Sequence, residues 1–285
     1  MRLFLDTASL DEIKEAVSWN IVDGVTTNPS LIKKAFLSLR KSDIPMDMES
    51  YIKKILAQVG RMCPVSLEVA GLKASEMIEQ GMILYEKFNQ VAGNAVIKIP
   101  VCTLNRCGEG GAFDGLAAVQ ALSDEKIPVN ATLIFTPEQA ILAAKAGAEY
   151  VSLFAGRVDD RIRTQAGIPF RKEEYFPAGG MSSGSSSDGV LTDYGLVSGV
   201  DLVERTVDIF DRYEIECEII AASIRNPVQV REMAEVGADI VTMPFDILKS
   251  MIEHPGTASG IEAFTADLVD EYLDLFDRGH SPQAQ

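Results

Sequence analysis

One lysine, Lys98, lies inside the short apolar segment VIKIP. If this segment is a strand, period-2 alternation sends the lysine to the face opposite Ile97 and Ile99. Desolvation on a buried face lowers a lysine pKa by up to ~3–5 units, and a neutral amine can attack a carbonyl. The alternative is a buried ion pair with Asp6 or Glu68. Residue chemistry favours the nucleophile and leaves the ion pair open.

Other polar side chains interrupt apolar segments, nearly always toward the carboxyl end. Strands that are covered on both faces should be almost continuously apolar, so each polar residue needs an explanation. A hydrogen bond at a strand end would explain any single one of them, but their accumulation favours one shared site. The set comprises Asp6, Thr27, Asn28, Glu68, Asn130, Thr132, Ser152 and Ser223.

These residues belong to eight short β-type segments that alternate with longer helical patterns. The segments begin at Arg2, Gly24, Val65, Ala95, Val129, Tyr150, Glu218 and Ile240. Eight βα units in succession predict a parallel sheet that closes into a (β/α)8 TIM barrel. Such barrels take roughly 250 residues. We therefore expect a single barrel domain over residues 1–285.

Helix signals between the strands support this alternation. Thr136-Pro137 and Asn226-Pro227 are typical of helix starts, and Gly147 and Gly237 stand where the corresponding helices should end.

Two long interruptions follow the fourth and sixth segments, at about 102–113 and 161–199. The first reads CTLNRCGEGGAF, and the second contains GGMSSGSSSDG, a composition typical of an interdomain linker. Two strands follow the second interruption, however, and the barrel cannot close without them. Both are therefore predicted to be enlarged βα loops on the catalytic face.

Composition excludes several classes of function. A net charge of -16 argues against a nucleic-acid-binding surface. With two histidines and no CxxC spacing we expect no metal site and no cofactor, although a zinc site at Cys102 and Cys107 is a weaker alternative to unpaired thiols. No segment approaches the roughly 20 apolar residues of a membrane span. We expect a cytoplasmic protein with no membrane partner.

Long ordered motifs then carry a resemblance that spans nearly the whole chain except the two loops. FLDTA, DGVTTNPSLI, VIKIP, NATLIFTPEQAILAAKAGAEYVSLFAGRVDD, AASIRNP and VTMPFDIL resemble the transaldolase family, in particular its short subfamily, which includes fructose-6-phosphate aldolases. The resemblance implies an enzyme of carbohydrate metabolism, in the pentose phosphate pathway, that acts on sugar phosphates through a lysine Schiff base.

The resemblance also implies roles for the reactive residues. Lys98 would form the Schiff base, and Asp6 would act as acid and base on the C4 hydroxyl during carbon–carbon cleavage. Glu68 and Thr132 would hold the water that shuttles protons.

The remaining site residues would bind the sugar phosphate. Asn28 and Asn130 would bind the hydroxyls of the dihydroxyacetone unit. The phosphate would lie among Ser152, Arg157, Ser223 and Arg225, whose guanidiniums suit a dianion. The alternative for Arg157 is an ion pair with Asp159 or Asp160.

Within this family, Glu68, Asn130 and Phe154 resemble transaldolases more than aldolases. The implied reaction is transfer of a dihydroxyacetone unit from a ketose phosphate to an aldose phosphate. The alternatives are a fructose-6-phosphate aldolase, which releases free dihydroxyacetone, and a non-catalytic sugar-phosphate-binding barrel. The two long loops depart from the subfamily and leave the physiological sugars open.

The resemblance also implies a ring-shaped homo-oligomer, a pentamer or decamer, with an exchanged C-terminal helix. The segment IEAFTADLVDEYLDLF is amphipathic enough for that role.

Overall fold

The computed structural model describes residues 1–41, 46–61, 63–104, 111–181 and 190–276. Eight parallel strands form a closed barrel in sequence order, which confirms the predicted fold. The strands are β1 (Arg2–Asp6), β2 (Gly24–Thr26), β3 (Val65–Glu68), β4 (Ala95–Pro100), β5 (Val129–Ile134), β6 (Tyr150–Leu153), β7 (Glu218–Ala221) and β8 (Ile240–Met243).

Helices connect successive strands, and further helices follow the last strand. They are α1 (Leu10–Ser18), α2 (Pro29–Lys41), α3 (Met48–Val59), α4 (Ala74–Ala92), α5 (Asp114–Asp124), α6 (Pro137–Lys145), α7 (Ala155–Gln165), α8 (Gly199–Arg212), α9 (Pro227–Glu235), α10 (Phe245–Ser250), α11 (Pro255–Ala266) and α12 (Asp270–Leu273), with a 3-10 turn at Asp274–Phe276.

The predicted helix signals are present at α6 and α9. The Thr136 hydroxyl accepts a hydrogen bond from the Gln139 amide, and the Asn226 side chain accepts one from Gln229. Gly147 and Gly237, just past these helices, have φ of +94° and +87°. These φ values favour glycine and end the helices.

Alternate strand residues point into the barrel, and its amino-terminal layer is apolar. Phe4, Val96, Tyr150, Ile220 and Ile240 form a buried cluster separate from the larger core. A Cβ on Gly24 would lie 2.6 Å from the Phe4 ring, so the glycine leaves space for this ring. The polar inward-facing residues therefore lie nearer the carboxyl ends of the strands, where active sites of such barrels are found.

The chain forms two compact units, Met1–Leu248 and Lys249–Gln285. In the described part of the second unit no side chain is buried, and its amphipathic segment is divided between α11 and α12. Among the described residues, no helix is long and apolar enough to cross a membrane. The prediction of one domain over residues 1–285 stays a prediction.

The two long loops are described in part, because residues 105–110 and 182–189 lie outside the described ranges. Cys107 belongs to the first of these gaps. In the second loop, α7 continues to Gln165, so the irregular segment begins at residue 166 and not at residue 161.

Buried charged residues of α7 anchor this irregular segment. The Asp159 carboxylate accepts hydrogen bonds from the amides of Phe176 (3.0 Å) and Gly199 (2.7 Å). The Arg163 guanidinium lies 4.3 Å from the centroid of the Phe176 ring and donates to the Glu174 carbonyl. The segment is thus held along α7 by buried polar contacts.

Asp159 gives the stability of this region a pH dependence. Burial raises its pKa to about 7, although the Gly199 and Phe176 amides and Arg163 lower it. Since the folded pKa exceeds the unfolded value of about 3.9, the stabilisation by protonated Asp159 is complete below about pH 4 and is lost as pH rises through about 7.

Asp159→Asn cannot ionise but keeps only one of the two acceptor oxygens. We therefore expect the difference in unfolding free energy between this variant and the unmodified protein to shift in favour of the variant as pH rises from about 4 to about 7. Urea unfolding across this range measures the difference in free energy. Asp193→Asn is the matched control. The hydrogen bond with Arg161 lowers the pKa of Asp193, so the difference in unfolding free energy between this variant and the unmodified protein should stay constant above about pH 4. A flat difference for Asp159→Asn would contradict the assignment.

Candidate active site

Lys98 points into the barrel from β4 and is 4% exposed. Its Nζ lies 3.2 Å from Glu68 Oε2 and donates to the backbone carbonyl of Thr27 at 3.1 Å. The ion pair considered from the sequence is therefore present, and its partner is Glu68, not Asp6. Because the amine is held at the barrel interior beside a carboxylate, the ion pair and a nucleophilic role are compatible.

The register of β3, β4 and β5 explains why Glu68, Lys98 and Asn130 lie together. In parallel pairing, Glu68 is opposite Lys98, and Lys98 is opposite Asn130. Residues opposite each other on neighbouring strands point to the same face. Three side chains that are far apart in sequence therefore line one arc of the barrel interior.

Asn130 is fully buried and links β5 to β3 and β6 inside the barrel. Its Nδ2 donates to Ser66 Oγ at 3.1 Å, and its Oδ1 accepts from Ser152 Oγ at 2.8 Å. The structure therefore places the Ser152 hydroxyl on Asn130 inside the barrel. The predicted contact of Ser152 with a phosphate stays a prediction.

Asp6 ends β1 and is adjacent to Thr26 in register. Thr26 Oγ1 donates to Asp6 Oδ1 at 2.8 Å. Burial raises the pKa of Asp6, while Lys98, the Thr26 hydrogen bond and Arg157 each lower it. A carboxyl group whose pKa is raised above its usual value suits proton exchange with a substrate.

Thr132 follows Asn130 on β5, at an irregularity of the strand. The pairing of β5 with β6 shifts between Ala131 and Ile134, and Leu133 has φ of +58°. This bulge changes the direction of the strand immediately after Thr132. The Thr132 Oγ1 is buried and has no hydrogen-bond partner in the described part of the chain, so it is available to a bound molecule.

Asn28 combines a structural contact with a free donor group. Its Oδ1 accepts a hydrogen bond from the Leu31 amide, which satisfies one donor of the first turn of α2. The amide nitrogen of the side chain donates to no residue that the structure describes. Thr27, its neighbour, donates to the Ser66 carbonyl and provides the carbonyl that binds Lys98.

Two aromatic rings and an arginine follow strands β5 and β6. The Phe154 ring lies 5.9 Å from that of Phe135, measured between centroids. The guanidinium of Arg157 lies 4.9 Å from the Phe154 centroid. Arg157 is exposed and forms no ion pair with any residue that the structure describes, so the predicted alternative with Asp159 or Asp160 is absent there.

Arg225, not Arg157, forms the ion pair with the GRVDD motif. Its guanidinium lies 2.5 Å from Asp160 Oδ2 and its side chain is 9% exposed. A Cβ on Gly156 would lie 2.1 Å from the Ser223 carbonyl oxygen and 2.4 Å from Arg225 Nε. The start of α7 therefore contacts the segment after β7. This contact follows from the order of the barrel, in which β6 and β7 are neighbours.

Four residues that support the site were not singled out from the sequence. Thr26, Ser66 and Thr242 were available as polar residues in apolar strands, by the same criterion as the others. Phe135 carries no local signal, because its role is defined by contact with Phe154. Asp160 was considered as a partner of Arg157, and its partner is Arg225.

Other features of the surface do not overlap this constellation. Two clefts of about 310 Å³ each are lined by other residues, one between α6 and α8 and one at the amino-terminal end of β7. No cluster of three or more histidine, cysteine, aspartate or glutamate side chains suits a metal ion within the described ranges.

Comparison with known proteins agrees with this geometry. Residues 3–280 match the family described as Transaldolase/Fructose-6-phosphate aldolase. The chain is 40% identical over 267 residues to a "Probable transaldolase" of Desulfatibacillum aliphaticivorans, covering 94% of this chain and 97% of the relative. It is 41% identical over 267 residues to one of Desulfosudis oleivorans, with the same coverage.

A third relative, also named "Probable transaldolase", comes from Caldicellulosiruptor saccharolyticus. It is 41% identical over 268 residues, covering 94% of this chain and 96% of the relative. These matches confirm the family that the sequence motifs predicted. The chain belongs to the transaldolase/fructose-6-phosphate aldolase family.

Proposed function

We propose that this enzyme is a transaldolase that transfers a dihydroxyacetone unit between sugar phosphates through a Schiff base on Lys98. The observation that carries the proposal is the position of Lys98. Among the described residues it is the one buried lysine. Glu68 and the Thr27 carbonyl contact its amino group, and Asn130 is opposite it in register.

The first half of the reaction forms and cleaves the adduct. The Lys98 amine adds to the C2 carbonyl of the donor, and loss of water gives an iminium ion. Asp6 then takes the proton of the C4 hydroxyl. As the C3–C4 bond breaks, the aldose leaves and the electron pair of this bond forms an enamine with the iminium.

The second half reverses these steps on a new aldehyde. The enamine carbon attacks the acceptor, Asp6 returns its proton to the new hydroxyl, and water hydrolyses the iminium. Glu68 and Thr132 would hold that water, because Glu68 contacts the amine and the Thr132 hydroxyl is without another described partner. Asn28 and Asn130 have the donor and acceptor atoms that bind the hydroxyls of the three-carbon unit.

Borohydride reduction of the protein with fructose 6-phosphate tests the covalent step. Mass spectrometry should locate a reduced three-carbon adduct on Lys98. Lys98→Arg should abolish the adduct and nearly all turnover, since a guanidinium stays protonated and cannot add to a carbonyl. Lys53→Arg, at an exposed lysine paired with Glu49, should behave like the unmodified enzyme. An adduct on another lysine, or none, would refute the mechanism and favour a non-catalytic barrel.

Transfer must be distinguished from simple cleavage by a fructose-6-phosphate aldolase. Phe154 contacts Phe135 and Arg157 and has no hydroxyl that could polarise a water molecule next to the enamine. We expect little free dihydroxyacetone from the donor alone and transfer when an aldose phosphate is added. Glu68→Gln combined with Phe154→Tyr should raise release relative to transfer, as product analysis would measure. An unchanged ratio would contradict the role of these two positions.

The phosphate site is proposed at the mouth between β6 and β7. Arg157 and Arg225 lie on segments that touch through Gly156 and Ser223. The Asp160 ion pair holds Arg225 in one orientation, and Arg157 is exposed to solvent. Two guanidiniums on adjacent segments of an acidic protein suit a dianionic group.

Arg225→Ala should raise KM for phosphorylated sugars by roughly ten- to a hundredfold, because a charge-assisted hydrogen bond is lost. KM for unphosphorylated ketoses should change little. Arg205→Ala is the control, since Arg205 forms a comparable ion pair with Asp201 on the outer surface. Equal losses on both kinds of substrate would show that Arg225 supports the fold or the chemistry and does not bind phosphate.

The proposal extends to assembly and location. We propose a homo-oligomeric ring, a pentamer or decamer, because α11 and the residues after it expose apolar side chains such as Ile261, Phe264 and Leu275. We also propose that the enzyme works in the cytoplasm. Cys63, Cys102 and Cys217 are free thiols within the described ranges, and free thiols are typical of reducing compartments.

A further inference from the structure

We infer that Thr26 and Thr242 form a hydrogen-bonded chain that positions Asp6 and determines which of its oxygens receives the substrate proton. Thr26 Oγ1 lies 2.8 Å from Asp6 Oδ1 and 2.6 Å from Thr242 Oγ1. Both threonines are buried, at 2% and 3% exposure. They are positioning residues, and the inference rests on the proposed role of Asp6 as acid and base.

The fold brings this chain together from three adjacent strands. β1 lies between β2 and β8 in the closed barrel. Asp6 is opposite Thr26 in register, and Thr242 is opposite Phe4, one inward-facing position below Asp6. The three side chains therefore share the interior face, with Asp6 and Thr26 at one register level and Thr242 level with Phe4.

The number of protons sets the direction of the chain. Thr26 has one hydroxyl proton. When Asp6 is ionised, Thr26 must donate to it, so Thr242 must donate to Thr26. When the substrate proton is on Oδ2, Oδ1 still accepts from Thr26, so the direction of both bonds is unchanged. The chain thus matches either charge state of Asp6 without leaving a buried hydroxyl unpaired, which would be costly.

The chain also distinguishes the two oxygens of Asp6. Oδ1 is committed to Thr26, whereas Oδ2 accepts no hydrogen bond from the described residues. Oδ2 is therefore the atom that exchanges a proton with the substrate. The charged groups that face Asp6 are Lys98 of β4 and Arg157 of α7, and Glu68 of β3 is bound to Lys98.

Threonine is informative at these positions because valine has nearly the same shape. Strands covered on both faces favour apolar, β-branched residues. Thr26→Val and Thr242→Val would keep the methyl packing and remove only the hydroxyl. Such changes separate the hydrogen bond from the volume of the side chain.

The test is the pH dependence of kcat for carbon–carbon cleavage. Thr26→Val removes a hydrogen bond to the ionised carboxylate, so the acidic limb of the profile should move upward by about one to two pH units. KM for the phosphorylated donor should change little, and borohydride should still trap the adduct on Lys98. Thr26→Ser restores the hydroxyl and should return the limb to its original position.

Thr242→Val should move the acidic limb of the kcat profile in the same direction by a smaller amount. Thr26 keeps its hydrogen bond to Asp6 but loses the Thr242 hydroxyl, whose donation polarises it. Thr206→Val is the matched control. Thr206 is a fully buried threonine of α8 whose hydroxyl donates to the Leu202 carbonyl, so its loss should alter stability alone. If Thr26→Val does not fold, an unshifted limb in Thr242→Val still overturns the inference.

Asp6→Asn separates failure of this inference from failure of the proposed function. If Asp6→Asn cleaves the donor at the normal rate, the acid–base assignment itself is wrong. If Asp6→Asn loses cleavage but Thr26→Val leaves the limb unshifted, or Thr26→Ser does not restore it, only the threonine chain is refuted. Adding Thr26→Val to Asp6→Asn should cause no further loss of kcat, because the two residues act through one group.

Discussion

An amino group inside a barrel has to be surrounded by oxygen atoms, and β3 and the end of β2 provide them. Lys98 lies between the Glu68 carboxylate and the Thr27 carbonyl. An unpaired buried charge would be strongly unfavourable. The Glu68 carboxylate makes the burial of Lys98 tolerable, and in the proposed mechanism the same carboxylate would hold a water molecule beside the reacting carbon.

The barrel interior is divided into an apolar layer and a polar layer. Phe4 fills the space that Gly24 leaves at the amino-terminal end. Above this layer two hydrogen-bonded groups cross between strands, one centred on Asn130 and the other on Thr26. This order follows from alternation along each strand, because every inward-facing residue of the lower layer is followed two positions later by one of the upper layer.

Helix α7 links the site to the long irregular segment through two consecutive aspartates. Consecutive helical residues point about 100° apart, so Asp159 and Asp160 reach different partners. Asp159 binds the amides of Phe176 and Gly199, while Asp160 binds Arg225. The irregular segment after α7, which departs from the short subfamily, is therefore anchored by Asp159. The next residue, Asp160, holds Arg225, the residue proposed to bind phosphate.

The sequence by itself determined the barrel, its eight strands and the inward direction of Lys98, Asp6 and Asn130. Period-2 alternation and polar residues in apolar strands are local signals, and they need no tertiary information. The resemblance supplied the roles of these residues, which geometry alone would have left open. The helix signals at Thr136 and Asn226 were equally local and reliable.

Only the tertiary structure decided which side chains are partners. Alternation identifies the face of a strand but not the residue opposite, which depends on the stagger of the closed barrel. For that reason Lys98 pairs with Glu68 and not Asp6, and Arg225 takes the Asp160 partner that had been considered for Arg157. The sequence does not indicate the bulge at Leu133, because the residue with positive φ there is not a glycine. Thr26 and Thr242 meet across 216 positions of sequence, because closure of the barrel places β2 and β8 on either side of β1.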